Sequence, residues 1–457
     1  MLVSRREWLE KLGLGGAAAV GISLASRADA EGDPAYARFN SRIKKISPSM
    51  TDVSSATLNG GKVIQPAREL PVFHETDVVV VGGGSAGWGA AMGAAKTGAR
   101  VAVIERDSSF GGLWTNGGVL VVLGNGVRDN GEFRWVTKGV CTELLGELKK
   151  AGKNTVTDAS QPTVDPEALR YVMDQMLVKS GVDIFFRCWG VDVIQVGNQV
   201  KGVVFESKQG RQAILAKCVI DASGDGDVYF QAGAQYQQIL HGMGFVYRMG
   251  NMDRVDKAKA KANHVGLGAN EPVASARWFN TLGPQGNGLD VRELSKIEIE
   301  HRKTAWLDAE KMRAVEGCQD VFMMQTCPQV GVRATRLLKG HKEISKATAA
   351  AQTSYDDVVA VGGHDGMRLP EFQIPYGALI PQGVDNVIAA GRCISVAPDL
   401  IDRVRLIPVC VVTGHAAGVA GALAAKGGTA PKDVPAKEIQ KALLEQGAYL
   451  GSTVQKI

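Results

Sequence analysis

Cysteine pairs at metal-ligand spacing are missing from this chain of 457 residues. Its seven cysteines (Cys141, Cys188, Cys218, Cys318, Cys327, Cys393 and Cys410) include no Cys-x-x-Cys. Metal and iron–sulfur ligation therefore have no local signature, and no metal site is expected. Most of the cysteines are flanked by apolar residues and read as small core hydrophobes. Proline is scarce, at 16 residues, whereas the 56 glycines make up about 12% of the chain against an ordinary ~7%. Glycine in excess without proline excludes collagen and low complexity, and points to tight turns and close backbone approach. A strong charge of one sign is also absent: 52 Lys+Arg against 47 Asp+Glu leave +5. The densest charged stretch, Asp253–Lys261, alternates in sign and reads as a solvated helix, so no nucleic-acid partner is expected. With 45% hydrophobic and 22% charged residues the composition is ordinary globular usage, and the length suggests about three domain-sized units.

The longest apolar run near the N-terminus, Leu12–Ala25, would span only about 21 Å as a helix, short of the ~30 Å hydrocarbon core of a bilayer. It follows Ser4-Arg5-Arg6-Glu7-Trp8-Leu9 and precedes Arg27-Ala28-Asp29-Ala30. The order of charged region, mild apolar region and small-residue cleavage site is that of an export signal, and the arginine pair resembles the twin-arginine motif. Residues 1–30 are therefore expected to be a twin-arginine signal, the mature chain periplasmic and without a transmembrane span. Residues 31–75 lack clear periodicity and read as an N-terminal arm. In an oxidising compartment the odd cysteine count leaves at least one thiol free or paired between chains.

Asp77-Val78-Val79-Val80-Val81 is a β-branched run suited to a strand buried on both faces. Gly82-Gly83-Gly84-Ser85-Ala86-Gly87 follows, then an Ala/Gly-rich helical stretch to Lys96, a turn, and a second strand Val101–Ile104 ending at Glu105 and Arg106. This is Gly-x-Gly-x-x-Gly in its strand–turn–helix context with an acid at the second strand's end, a dinucleotide site. Gly82 serves the tight turn, Gly84 the approach of a pyrophosphate, and Gly87 helix–strand packing. Ser85 and Ala86 open the helix N-terminus toward the phosphates, and Glu105 would accept from ribose hydroxyls. The dinucleotide could be NAD or FAD.

Later segments favour FAD. Paired glycines in Ser109–Gly118, with Gly111, Gly112 and Thr115, resemble the loop along the cofactor in glutathione-reductase-type FAD proteins. Asp221-Ala222-Ser223-Gly224-Asp225 and Ala389-Ala390-Gly391-Arg392 resemble two further strand ends of that superfamily. From about residue 76 to 450 the chain resembles the FAD-dependent oxidoreductase family related to the flavin subunit of heterodisulfide reductase. The blocks that carry the likeness are Asp165–Met173, Gln329–Arg336, Ile374–Pro381 through Cys393, Arg405, and Gly414–Ala420.

The resemblance implies an α/β fold: a Rossmann-like FAD-binding domain of glutathione-reductase type, discontinuous over 76–230 and 326–430. An α+β substrate or cap domain is inserted at 231–325, and a C-terminal helix and tail occupy 431–457. It implies backbone contact of adenine with Gly190-Val191. It also places Gly414 and Ala417 on a closely packed helix whose N-terminus faces the flavin. The chain departs from the family at Pro398 and His415, and it lacks the iron–sulfur motifs of electron-bifurcating members. No histidine stands in residues 111–118, so the FAD is expected to be non-covalent.

Hydride transfer to flavin needs a base near the donor carbon. His241, His264 and His415 are the candidates, with His241 first. Arg405, which matches an arginine common in the family, and Arg403, which does not, stand between the third strand end and the last helix; either could hold a carboxylate, neutralise reduced flavin, or pair with Asp399 or Asp402. Tyr247 and Trp278 could stack on a ring substrate or pack in a core. The expected function is an exported FAD-dependent dehydrogenase acting on a small organic molecule and passing electrons to a c-type cytochrome or quinone-linked acceptor. A non-redox flavoprotein isomerase, hydratase or lyase, and a flavin electron-transfer subunit, are the alternatives.

Overall fold

A computed structural model describes residues 55–365, 369–452 and 454. The expected export signal and residues 31–54 of the expected arm lie outside the described residues. The chain divides into two units at Pro66. In the first, Thr57–Asn59 and Lys62–Ile64 form an exposed antiparallel hairpin.

The second unit is built on a seven-stranded sheet. Its first strand, β1 (Val72–Val81), begins earlier than the valine run and, apart from Thr76, is buried only from Val78 onward, because Val72, Phe73 and Glu75 face solvent. A helix, α1 (Ser85–Lys96), returns the chain to β2 (Val101–Glu105), parallel to β1. Then come β3 (Asp183–Phe186), parallel to β2, and the meander β4 (Trp189–Val196), β5 (Gln199–Ser207) and β6 (Gly210–Asp221). β6 turns back parallel to β1 while pairing antiparallel with β5, so the order runs β3-β2-β1-β6-β5-β4. The valine run of β1 is fully buried because the strand lies at the centre of the sheet, between β2 and β6.

The inserted segment has its own core. β7 (Phe245–Gly250) pairs antiparallel with β8 (Arg277–Thr281) and β9 (Phe322–Thr326). The helix α2 (Val291–Arg313), capped by Asp290, packs Ala305, Ala309 and Met312 onto Phe245, Tyr247 and Met249. Tyr247 stacks on Phe279 with centroids 5.0 Å apart and donates to Asp308, and Trp278 is buried, so both aromatics are core residues.

The chain then returns to the main sheet as β10 (Val387–Ala389), parallel to β6. It closes with α3 (Ile407–Gly427), which starts well before the Gly414 expected from sequence. α3 is long and apolar enough to cross a membrane, but 94% of its apolar window is buried inside the protein, as a core helix is. It presses on α1 backbone to backbone. A Cβ on Gly414 would lie 1.9 Å from the Ala86 carbonyl oxygen, and one on Gly418 2.0 Å from that of Ala90. All seven cysteines are buried and free.

Candidate functional site

The ends of β1, β2, β6 and β10 open onto one groove of about 1020 Å³. At its floor Gly82 takes φ +97°, and a Cβ there would strike the Ala222 carbonyl at 2.5 Å. Gly87 packs the helix on the turn, since its Cβ would lie 1.7 Å from the Gly82 carbonyl oxygen. Gly84 differs from both: nothing stands within 4 Å of the position of its Cβ, which faces the groove. It is also the N-cap of α1 and offers no side chain to the first-turn N–H groups, leaving them for an anion.

Glu105 is buried at one end of the groove. Its Oε2 accepts from the Gly83 N–H at 2.5 Å and its Oε1 from the Asp107 N–H at 2.7 Å. Burial pushes its carboxyl pKa up, and those two donors pull against the rise. The carboxylate is thus held between two turns with lone pairs left for ribose hydroxyls. Arg106 lies 5.4 Å from the Trp189 ring centre, and both line this end with Gly190. Val191 does not line it.

The paired-glycine loop is tied to the turn. The Gly111 N–H donates to the Gly83 carbonyl, and Ser85 Oγ donates to the Gly111 carbonyl. Gly112 and Leu113 line the groove, whereas Gly111 and Thr115 shape the loop, Thr115 through a 2.6 Å bond to the Phe110 carbonyl.

At the end of β6, Asp221 is fully buried and accepts from Ser223 Oγ and from the N–H groups of Ser223, Val228 and Tyr229. Burial raises its pKa to about 6 against these donors. This clamp presents Ala222, Ser223 and Gly224 to the groove. Asp225 turns away to pair with Arg392 at 2.8 Å and to accept from Thr335. Arg392 and Gly391 come from the end of β10, and Arg392 Nε is buried without a partner. Gly414 and Ala417 do not touch the groove, because close packing on α1 buries both. The α3 residues that reach it are Ile407 and Cys410.

A charged cluster borders the same groove. Arg405 lines the groove, and its Nη2 and Nε lie 2.6 and 2.7 Å from Asp402 Oδ1. His241 Nε2 is 3.3 Å from the same oxygen, and its Nδ1 is buried without a partner. Arg333 lines the groove nearby, and Gln329, with an unpartnered Oε1, lines it where it also borders a second cavity with Arg106 and Trp189. His241 itself stands one residue back from the lining. Arg403 is not part of this cluster: it lies near His364, whose imidazole pKa is held down by burial and then by that arginine. His264 is exposed on the cap, and His415 is sealed inside α3.

Sequence reasoning missed Gln329 and Arg333 as site residues and the contact of His241 with Asp402, whose pairing with Arg405 it had named. Their signals were the Gln329–Arg336 block, with two arginines and no nearby acid to pair them, and an aspartate three residues before Arg405.

The residues present fit an extended dinucleotide. Gly84 leaves a cradle that a Cβ would fill, the α1 N-terminus is uncapped, and Arg392 Nε is a buried donor without an acceptor.

A profile of the family described as FAD dependent oxidoreductase matches residues 77–443. Among curated proteins, a soluble pyridine nucleotide transhydrogenase of Marinomonas is 32% identical over 150 residues, 32% of this chain and 30% of that protein. The same enzyme of Escherichia coli is 49% identical over 51 residues, 11% of each. The matches thus span less than a third of these relatives. Among solved structures, a geranylgeranyl bacteriochlorophyll reductase-like protein from Thermoplasma acidophilum aligns with TM-score 0.43 and 15% identity, over 82% of this chain and 84% of that one. The OxyS anhydrotetracycline hydroxylase of Streptomyces rimosus aligns with TM-score 0.44 and 13% identity, over 81% and 66%.

Proposed function

The chain belongs to the FAD-dependent oxidoreductase family, an enzyme with FAD as its cofactor, and from that premise we propose that it is a dehydrogenase of the glutathione-reductase-type FAD fold acting on a small organic substrate. One observation carries the reading: a single groove runs from Glu105, past the uncapped α1 N-terminus, to Arg405 and the His241–Asp402 pair behind it.

Bound FAD supplies the two-electron acceptor for a hydride. Gly84, Ser85 and Ala86 receive the pyrophosphate, and Glu105 holds the ribose. Asp402 fixes Arg405 at the substrate end and holds His241 by Nε2. His241, held behind Arg405 by Asp402, is the side chain proposed to take the proton released by the substrate.

The arginine pair Arg5-Arg6 and the apolar run after it support export to the periplasm by the twin-arginine route. A periplasmic enzyme would pass its electrons to a c-type cytochrome or a quinone-linked acceptor, since nicotinamide nucleotides are not expected there.

The test is anaerobic mixing of the flavin-loaded protein with a panel of alcohols, sugars and unsaturated compounds, followed by flavin absorbance. Bleaching by one class, with His241→Asn retaining flavin but bleaching roughly 10²–10⁴-fold more slowly, is expected. Turnover of a substrate with no bleaching at all would move the protein to the non-redox flavoproteins.

A further inference from the structure

Two guanidinium groups and an imidazole gather around one carboxylate at the substrate end of the groove. Asp402 Oδ1 is taken up by Arg405 at 2.6 and 2.7 Å and faces His241 at 3.3 Å. Arg333 is left over. It is half-buried, it lines the groove, and among the described residues it has neither a hydrogen bond nor an ion pair. The cap strand makes room for it: a Cβ on Gly242 would lie 3.2 Å from Arg333 Nη1, and one on Gly244 3.2 Å from Nη2. Gly244 is hydrogen-bonded in both directions with Gly331, so this approach is set by backbone and not by a mobile side chain.

A half-desolvated guanidinium without an acceptor is costly in a folded protein, and more so beside a second guanidinium. Burial, and then Arg405, push the Arg333 pKa below its usual value, with Asp402 opposing them. The charge that is missing is negative, and the side that lacks it is the open one. Guanidinium presents paired N–H donors in a plane and so matches a carboxylate in two-point contact.

We propose that the substrate is a small organic acid whose carboxylate is received by Arg333, with Arg405 alongside. The inference rests on the reading of this end of the groove as the substrate end. The pyrophosphate has its own receptors in the uncapped α1 N-terminus and the open face of Gly84. Arg333 is therefore a specificity residue for the substrate and not a cofactor ligand.

The experiment uses the flavin-loaded protein and probes that need not react: acetate, malonate and benzoate, each against its amide. Binding is read from the perturbation of the flavin absorbance spectrum, and flavin content is measured on every variant. The expected result is that at least one of the acids perturbs the spectrum and its amide does so at least tenfold more weakly. Arg333→Gln should keep its flavin and lose about ten- to a hundredfold in affinity for that acid, and Arg333→Lys should recover part of it.

Three outcomes would overturn the proposal: amides bind as well as acids, Arg333→Gln binds acids as tightly as the parent, or Arg333→Gln loses its flavin. The last would make Arg333 a cofactor ligand. Acid binding that depends on Arg333 supports the proposal even if no compound bleaches the flavin, and in that case only the dehydrogenase reading falls.

Discussion

Replacing Gly84 by valine would put a branched side chain where nothing now stands within 4 Å, so the fold tolerates it and the cofactor does not. Gly84→Val is expected to purify as folded apoprotein with almost no flavin absorbance and an apoprotein melting temperature close to the parent's. Gly87→Val should behave oppositely. Its Cβ would fall 1.7 Å from the Gly82 carbonyl oxygen, so folding itself fails, as thermal melts and soluble yield would show. These roles were legible in the sequence because the glycine spacing and the flanking strand and helix are local. The partnership of Asp402 with His241 was not. Those residues are far apart in the chain, and only the return of the cap strand beside α3's leading loop brings them to 3.3 Å.

At the scale of elements, the α1–α3 pair holds the site in place. Gly89 and Gly93 of α1 lie against Val411 and His415 of α3, Gly414 and Gly418 of α3 against Ala86 and Ala90 of α1, and a Cβ at any of these glycines would meet opposing backbone within 2.5 Å. This contact holds the α1 N-terminus and the groove-lining Ile407 in fixed relation. His415 is buried in the same seam, with its Nε2 2.8 Å from Gln446 Oε1. Burial lowers its pKa from 6.5 to about 4, and the bond to Gln446 offsets part of the fall. In the unfolded chain the imidazole takes up its proton near 6.5, well before the folded one does. Its stabilising contribution is therefore complete above that pH and is lost as pH falls through about 4, on the order of 3 kcal/mol. His415→Gln should lose less stability than the parent between pH 7 and about pH 4.5, as urea denaturation at the two pH values would show. The glycine and alanine content of α3 was visible in the sequence. Its register against α1 was not, so Gly414 and Ala417 read as cofactor contacts when their task is helix packing.

At the scale of the whole molecule, an arginine that follows the inserted segment is tied to the residues after β6. Arg336 donates to the Asp225 carbonyl and to Asp227 at 2.9 Å each, and its guanidinium lies 4.1 Å from the Phe230 ring centre. Arg336→Ala is expected to cost about 2 kcal/mol by chemical denaturation, discounted because Asp227 is partly exposed. The order of the first sheet elements and the dinucleotide turn could be read along the chain, because each rests on local periodicity or local glycine spacing. Tertiary structure alone decided which residues meet at the far end of the groove. Charges on the cap strand, on the loop after Thr326 and on the helix before Arg405 interact only through space, and Coulomb and hydrogen-bond forces act over a few ångströms of distance whatever the separation in sequence. That is why Glu105 and Gly84 were apparent from their neighbours, and why the unpaired Arg333 became visible only once its surroundings were folded around it.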